Sequence, residues 1–352
     1  MPTQIVPSAG GDQRREVRFI KNNSHSRSPD IFKGSGEMMA QHVSVLLERC
    51  IELLSPAIKK VENPVVVDAT LGLGGHTEAL LRKFPNLIVI GIDRDEDAIA
   101  HATSRLEVFG DRFKGVHAVY DQIQECIEKF GYKKVDGILF DLGVSSMQLD
   151  EVDRGFSYAN DAPLDMRMDR SQGRTAADII NFAGRDELIM ILRKFGEERF
   201  APRIVDAIIR RRAISPMDST AELAALVKEN IPAATRRTGG NPAKRTFQAL
   251  RIAVNDELDV LTRAIPSALE ALVVGGRLVV MSFQSLEDRI VKEFFVAASE
   301  SKTPRELPVE IPELAAKFML VIRGSERSSE EELIENPRSA SVRLRAIERV
   351  AA

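Results

Sequence analysis

The stretch DATLGLGGHTEAL, residues 68–80, follows directly on the apolar run Val-Val-Val at positions 65–67. Three β-branched residues in succession predict a buried strand, and the apolar spacing after the glycines predicts a helix. Gly72, Gly74 and Gly75 permit positive φ and leave no side chains between the backbone and a ligand. A strand, a glycine turn and a helix N-terminus together indicate a nucleotide-like ligand at the carboxyl edge of a sheet. A tight turn without a ligand stays open as the alternative.

An acidic residue at the end of the next predicted strand narrows the class of ligand. A dinucleotide fingerprint requires glycine at position 77, where this chain has threonine. Asp93 ends the following apolar run, 18 residues after Gly75 (93 − 75), where a carboxylate accepts hydrogen bonds from a ribose diol. An N-cap role for Asp93 is the structural alternative. NAD enzymes and S-adenosyl-L-methionine (SAM) enzymes both carry such an acidic residue.

Strand and helix patterns alternate from residue 65 to residue 141. The segments PNLIVIGIDRD, RFKGVHAVY and VDGILFDLG predict three further strands, and the last ends at Asp141. Helical patterns then dominate from about Leu149 to Asn255, and sheet-like sequence resumes at GGRLVVMSF, KFMLVIR and SVRLRAIERV. Alternation followed by a helical stretch is typical of an α/β fold, a parallel sheet with helices on both faces, interrupted by an insertion.

Three regions follow from these patterns. We expect residues 1–38, which are polar and mixed in charge, to be a disordered tail. We expect residues 39–148 and 250–352 to form the sheet domain, and residues 149–249 to form an inserted helical domain for substrate recognition.

Composition excludes several classes of protein. With 49 basic and 52 acidic residues the formal charge is −3, which excludes a uniformly basic nucleic-acid coat but leaves room for a local basic patch. Cys50 and Cys126 lack metal-ligand or redox spacing and are predicted to be buried, reduced thiols. The chain has no apolar run of the ~18–20 residues that a membrane span needs and no signal-peptide core. We therefore expect a cytoplasmic protein that does not bind membranes; the oligomeric state stays open.

Five longer motifs carry a family resemblance. They are FDLGVSSMQLDEVDRGFSY at 140–158, DMRMD at 165–169, NPAKRTFQALRIAVNDEL at 241–258, SFQSLEDRIVKEF at 282–294 and NPRSASVRLRAIER at 336–349. With these motifs the chain resembles, from about residue 42 to residue 349, the bacterial 16S ribosomal RNA cytidine N4-methyltransferase family. The resemblance implies a class I SAM-dependent methyltransferase with a Rossmann-like sheet and an inserted helical domain. It also implies SAM as cofactor, no metal, and one cytidine in the decoding region of 16S rRNA as substrate. Whether the free RNA or the small ribosomal subunit is recognised stays open.

The resemblance also assigns residues to the cofactor. The positions that match the family's SAM contacts are Gly74, Gly75, His76, Asp93, Tyr120, Asp141 and Gln148. Tyr120 stands where the family often has phenylalanine. Gln284 replaces the histidine of the usual SFHSLED motif, which argues against an obligatory general-base histidine in that loop and leaves the role of the loop open.

The reaction itself points to the candidate catalytic groups. The cytosine N4 lone pair is delocalised into the ring, so groups that accept the amino hydrogens stabilise the charge that develops on nitrogen. Asp141, Ser145 and Ser146 are the candidates, because DLGVSS stands where many amino-methyltransferases have an Asp/Asn-Pro-Pro-aromatic turn. Methylation of a ring carbon instead requires a cysteine nucleophile, usually after proline, and neither cysteine has that setting.

The substrate must reach the cofactor with its base turned out of the stack, along a basic surface. The predicted RNA contacts are Arg236, Arg237, Lys244, Arg245 and Asn255. The triplet at positions 210–212 is a further candidate, for which a solvated helix end is an equally good explanation. For Asn255 and the Asp165–Arg167 stretch, which is also a candidate, structural packing is nearly as good an explanation. Three other functions remain: an NAD-dependent oxidoreductase, a non-catalytic RNA-binding assembly factor, and a methyltransferase of another nucleic acid.

Overall fold

A computed structural model describes residues 44–233, 241–304 and 306–352, so the predicted tail at 1–38 and the candidates Arg236 and Arg237 lie outside the described residues. The strands are β1 (Val65–Asp68), β2 (Ile88–Asp93), β3 (Phe113–His117), β4 (Val135–Asp141), β5 (Leu272–Ser282), β6 (Phe318–Leu320) and β7 (Arg343–Arg349). They form one sheet in the order β3-β2-β1-β4-β5-β7-β6. The first five are parallel, and β7 is antiparallel to both β5 and β6. The α/β fold class predicted from the alternating patterns is confirmed.

The helices before and within the first half of the sheet are α1 (Leu47–Ile58), α2 (Gly75–Lys83), α3 (Glu96–Leu106), α4 (Ile123–Glu128) and α5 (Ser146–Asp150). Those between β4 and β5 continue with α6 (Ala176–Phe182), α7 (Arg185–Gly196), α8 (Ala201–Arg212), α9 (Thr220–Asn230), α10 (Lys244–Asn255) and α11 (Glu257–Ala271). Two more, α12 (Ser285–Ser299) and α13 (Glu330–Glu335), complete the described part of the chain.

Each face of the sheet has its own apolar core, because side chains alternate between the two faces along a strand. Phe140 packs with Ile265 of α11 and Phe295 of α12 on one face. Leu139, its neighbour, packs with Leu54 of α1 on the other face. Both cysteines are buried and free, Cys50 in α1 and Cys126 in α4, as predicted. No helix in the described ranges is long and apolar enough to cross a membrane.

The helices α6 to α10 share a third apolar core that is separate from the sheet. Leu192 of α7, Val205 of α8 and Leu250 of α10 are among its fully buried residues. We propose that these helices are the inserted unit predicted at 149–249. Helix α10 runs uninterrupted through position 250, so the predicted boundary between residues 249 and 250 falls inside this helix.

The sheet register brings the predicted site residues to one edge. Asp68 ends β1 between Gly91 of β2 and Leu139 of β4, and Asp141 ends β4 opposite Met281 of β5. Because these strands are parallel, their carboxyl ends meet at the same edge, where ligands of doubly wound sheets bind.

Candidate cofactor and RNA site

The glycine turn is tied to the end of the second strand by hydrogen bonds. Gly74, with φ of 76°, is the N-cap of α2, and Gly72 has φ of 51°. The Gly72 amide donates to Asp93 Oδ2 at 2.8 Å, and the Asp95 amide donates to Asp93 Oδ1 at 2.9 Å. Burial raises the pKa of Asp93 to about 6, although these two donors favour its charged form. The carboxylate predicted to hold a ribose therefore has a fixed orientation beside the glycine turn.

His76, in the first turn of α2, lies buried below this edge. Its Nε2 is 3.1 Å from the carbonyl oxygen of Val45, which can only accept, so Nε2 carries the ring hydrogen. Burial lowers the pKa of His76 to about 4, and the ring is neutral near pH 7. The Nδ1 lone pair then faces Asp141 Oδ2 at 3.8 Å. The neutral His76 ring therefore faces the Asp141 carboxyl group with Nδ1.

Asp141 lies among other carboxyl groups. Burial, together with the charges of Asp68 and Glu287, raises its pKa to about 8. Asp68 itself has a pKa raised to about 6 by burial, although the Thr77 hydroxyl donates to it at 2.7 Å. We call Asp68, Asp93, Asp141 and Glu287 the acidic edge. At neutral pH the unliganded protein keeps Asp141 protonated, and a cationic ligand here would favour ionisation.

This arrangement fits SAM, whose sulfonium group is a permanent cation. The glycine turn leaves room for a ligand beside its backbone, Asp93 lies next to that turn, and the acidic edge attracts positive charge.

Tyr120 is held at the end of β3 by two contacts. Its ring meets the Phe140 ring edge-to-face, with centroids 5.4 Å apart, and its hydroxyl donates to the Glu257 carbonyl oxygen at 3.4 Å. Burial raises the pKa of Tyr120, so its hydroxyl stays protonated. The fixed ring agrees with the SAM contact predicted for Tyr120, which stays a prediction.

The loop after β5 is organised by Glu287 of α12. The amides of Phe283 and Gln284 donate to Glu287 Oε2 at 2.9 and 3.2 Å, and Gln284 Nε2 donates to Oε1 at 2.9 Å. Burial raises the pKa of Glu287, and the Arg251 charge opposes that rise. Gln284, which replaces the family's usual histidine, therefore holds the loop in place through Glu287.

Two of the predicted residues after β4 form the capping box of α5. Ser145 Oγ accepts from the Gln148 amide at 3.2 Å, and the Ser145 amide donates to Gln148 Oε1 at 3.1 Å. Gln148 Nε2 donates to Asp95 Oδ2 at 2.8 Å, and the Asp95 amide donates to Asp93. The predicted SAM contact Gln148 is therefore linked to Asp93 through Asp95. The side chain of Ser146 lies outside the described part of the structure.

Arg154 was not predicted to have a role, although it lies within the motif at 140–158. Only 2 % of this arginine is exposed. Its guanidinium binds Asp95, reaches Asp97 Oδ2 at 3.2 Å and donates to the Met168 carbonyl oxygen at 3.1 Å. No local spacing marks an arginine whose partners lie in distant loops.

Asn255, a predicted RNA contact, has an inward-facing side chain that is 3 % exposed. Its Nδ2 donates to the carbonyl oxygens of Met166 at 2.7 Å and Arg251 at 2.9 Å, and its Oδ1 accepts from the Met168 amide at 2.8 Å. These bonds use its polar atoms within the chain, which argues against direct RNA contact and for a structural role.

The remaining substrate-side candidates differ in exposure. Lys244 and Arg245 are exposed at the start of α10, and Arg245 Nη1 donates to the Glu197 carbonyl oxygen at 2.9 Å. Asp165 and Arg167 form a two-point ion pair, with Nε to Oδ1 at 2.7 Å and Nη2 to Oδ2 at 2.9 Å. A cleft of about 650 Å³ lined by Lys134 and Arg349 lies at the opposite edge of the sheet and is not part of this site.

Comparisons with known proteins agree on one family. The model of the MraW methylase family matches residues 39–350. A ribosomal RNA small subunit methyltransferase H from Saccharopolyspora erythraea is 56% identical over 315 residues, covering 90% of this chain and 95% of that protein. The protein of the same name from Mycobacteroides abscessus is 53% identical over 348 residues, covering 97% and 91%. That from Mycolicibacterium smegmatis is 57% identical over 313 residues, covering 88% and 84%.

A solved structure is also similar, though remotely. A putative methyltransferase from Streptococcus mutans in complex with SAH is 15% identical, covers 85% of this chain and 97% of its own, and gives a TM-score of 0.38. A TM-score of that size supports no argument about this chain.

Proposed function

We propose, on the premise that this chain belongs to the MraW methylase family, that it transfers the methyl group of SAM to N4 of a cytidine in 16S rRNA. The chain is a SAM-dependent ribosomal RNA methyltransferase, like the relatives that match 90% and 97% of its length. The finer parts of the proposal are the roles of single residues, the small ribosomal subunit as setting, and the cytoplasm as location.

The observation that carries the proposal is the acidic edge beside the glycine turn. Asp141 and Asp68 end neighbouring strands, and Glu287 adds a third carboxyl group whose charge raises the pKa of Asp141. Carboxyl groups gathered at a buried site are costly to ionise together, so this edge favours a cationic ligand over a neutral or anionic one. A cationic sulfonium offsets that cost.

Bound SAM supplies an electrophilic methyl group, and alignment of donor and acceptor is the main requirement on the protein. Asp93 and the glycine turn would hold the cofactor, with the Tyr120 ring as a further contact. Asp141 Oδ2 accepts a hydrogen from N4, which concentrates electron density on the attacking nitrogen. Ser145 and Ser146 are the other candidates for this acceptor.

The amino proton needs an acceptor after transfer. The S–C bond breaks with its electron pair left on sulfur, the N–C bond forms, and N4 sheds one proton. Asp141, ionised while the cationic cofactor is bound, takes that proton, and neutral His76 faces the carboxyl group with Nδ1 3.8 Å from Oδ2. The raised pKa of Asp141 suits a group that accepts a proton near neutral pH once the cationic cofactor has favoured its ionised form.

The two cysteines support nitrogen over a ring carbon as the target. Burial raises the pKa of Cys50 and raises that of Cys126 to about 12. A nucleophile for the cytosine ring must be a thiolate, and neither group ionises near neutral pH.

The test is methyl transfer from labelled SAM to small subunits and to deproteinised 16S rRNA from cells that lack this enzyme. Nuclease digestion and nucleoside mass spectrometry then identify the product. Label in N4-methylcytidine is expected, and the better substrate reveals whether the particle is recognised. Protein that binds SAM but labels neither substrate would contradict the proposal and favour a non-catalytic role.

Asp93→Ala provides the matched loss of function. We expect it to weaken SAM binding by roughly 1.5–3 kcal/mol, the range for hydrogen bonds to charged groups. Asp111→Asn, which removes a fully exposed carboxylate, is the control. Equal SAM affinity of the wild type and Asp93→Ala in calorimetry would remove Asp93 from the cofactor site.

A further inference from the structure

A buried polar chain leads from the end of β2 into the helical insert, with Arg154 at its centre. On the cofactor side, Asp93 Oδ1 accepts from the Asp95 amide, and the Asp95 carboxylate binds the Arg154 guanidinium. On the other side, Arg154 Nη2 donates to the Met168 carbonyl oxygen at 3.1 Å. One side chain therefore contacts both the turn beside the proposed ribose site and the loop at residues 166–168.

Asn255 closes this chain into a ring. Its side chain binds the Met166 carbonyl oxygen at 2.7 Å and the Met168 amide at 2.8 Å. Its own carbonyl oxygen accepts from Arg94 Nη1 at 2.6 Å, and Arg94 is the neighbour of Asp93. The ring thus returns to the turn after β2 from the end of α10.

The loop inside this ring has a conformation that its surroundings must hold. Met166 is fully buried with φ of 63°, a region that is unfavourable for residues other than glycine. Its amide donates to the Arg154 carbonyl oxygen at 3.0 Å. Such a backbone persists only where neighbouring contacts fix it, so a change at Arg154 or Asp95 alters the loop.

We propose that Arg154 is a positioning residue that couples cofactor binding to RNA binding by linking Asp95 to the loop at residues 166–168. The inference rests on the proposed function. A cofactor held by Asp93 acts on Asp95 through the Asp95 amide, Asp95 acts on the Arg154 guanidinium, and Arg154 acts on the loop at residues 166–168. Coupling of this kind is reciprocal, so RNA strengthens cofactor binding by the same factor.

The variant that tests it is Asp95→Asn combined with Arg154→Met. Replacing both partners avoids the unpaired buried charge that a single substitution would leave. The matched control is Arg277→Met combined with Glu348→Gln: this arginine also pairs with a carboxylate, at 2.8 Å, and also donates to a carbonyl oxygen, that of Leu53. That pair lies in β5 and β7, outside the ring.

The measurement is the affinity for unmodified 16S rRNA with and without saturating S-adenosyl-L-homocysteine (SAH). We expect SAH to tighten RNA binding of the wild type and the control by roughly fivefold or more, within the usual range of coupling. In the double variant we expect less than about a twofold effect, with each ligand still binding alone. Arg154→Lys, which keeps the charge but not the fork, is a second variant and is expected to lose most of the coupling.

Coupling in the double variant or in Arg154→Lys equal to that of the wild type would overturn the inference. So would a wild type whose RNA affinity does not respond to SAH. Because the assay measures binding without turnover, its result is separate from that of the methyl-transfer assay, where failure of the proposed function would appear.

Discussion

At the end of β4, the carboxyl group of Asp141 occupies a setting that disfavours its charge. Its pKa is raised to about 8 by burial and by the charges of Asp68 and Glu287, whereas an unfolded aspartate titrates near pH 3.9. A carboxyl group with a raised folded-state pKa costs stability as pH rises, because the unfolded chain loses its proton first. The contribution of Asp141 to the stability of the unliganded fold therefore falls progressively between about pH 4 and pH 8.

Substituting Asp141→Asn should remove this pH dependence. We expect the variant to be more stable than the wild type at pH 8.5 by about 1–3 kcal/mol, less than a fully desolvated carboxyl would give, because Asp141 is partly exposed. We expect methyl transfer to be lost in the same variant, because the amide is a poor proton acceptor. Urea denaturation at pH 4 and pH 8.5 tests the first expectation; parallel stability curves for the two proteins would contradict it.

Single residues also show what the sequence can and cannot predict. Asp93 and Asp141 were predicted at strand ends because an acidic residue directly follows an apolar run, and both lie there. The inward-facing Asn255 and the buried Arg154 could not be predicted in the same way. The amide at Met168 that Asn255 binds is 87 residues away, and Asp95, which Arg154 binds, is 59 residues away. Such contacts depend on how the insert packs on the sheet, which leaves no local pattern.

Two glycines of the turn before α2 differ in why the backbone needs glycine. Gly74 has φ of 76°, and a Cβ there would lie 3.0 Å from Leu106 Cδ1. Gly75 begins α2, and its Cβ would meet only the Ser44 side chain, with Oγ at 2.2 Å. Rotation of the Ser44 side chain about χ1 moves Oγ away and relieves the second contact. No side-chain rotation relieves the strain that a left-handed backbone imposes on a residue with a Cβ.

We therefore expect Gly74→Ala to lower the free energy of unfolding by about 1–2 kcal/mol, the cost of the left-handed region for a residue with a Cβ. Gly75→Ala should change it by less than about 0.5 kcal/mol, since alanine is favoured over glycine in a helix. Urea denaturation of both variants without cofactor makes the comparison. Equal losses in the two variants would show that crowding rather than backbone conformation governs this turn.

The strand ends act together in binding a cation. Since Asp141 is protonated below about pH 8 in the free protein, a sulfonium that favours its ionised form binds with release of a proton. We expect SAM affinity to rise with pH up to about pH 8, by at most ~10-fold per pH unit for one linked proton. SAH lacks the sulfonium charge and should show a flatter profile. Calorimetry in buffers of different ionisation enthalpy measures the released proton; equal profiles for the two ligands would contradict this role of the acidic edge.

For the whole molecule, a formal charge of −3 means that attraction to RNA must come from a local surface. Helices α7 and α10 meet where Gly196 lies against the Arg245 backbone, since a Cβ on Gly196 would be 2.5 Å from the Arg245 carbonyl oxygen. This contact brings Arg193 and Lys194 at the end of α7 beside Lys244 and Arg245 at the start of α10, and all four are exposed. We call these four residues the basic face.

If the basic face holds the phosphate backbone, its effect is readable in the salt dependence of RNA binding. Each lost phosphate contact lowers the slope of log affinity against log salt by about 0.7–0.9. We expect Lys194→Gln and Lys244→Gln each to reduce the slope by about that amount while leaving SAM affinity unchanged. Lys133→Gln removes an exposed lysine beside the cleft at the opposite edge of the sheet and should leave the slope at the wild-type value.

A slope that falls with Lys133→Gln but not with the α7 and α10 variants would move the RNA to that opposite edge. The fold would then present cofactor and backbone contacts on different sides, and the target base would have to reach around the sheet. A β4 of seven residues makes that path about 23 Å long, at ~3.3 Å per residue.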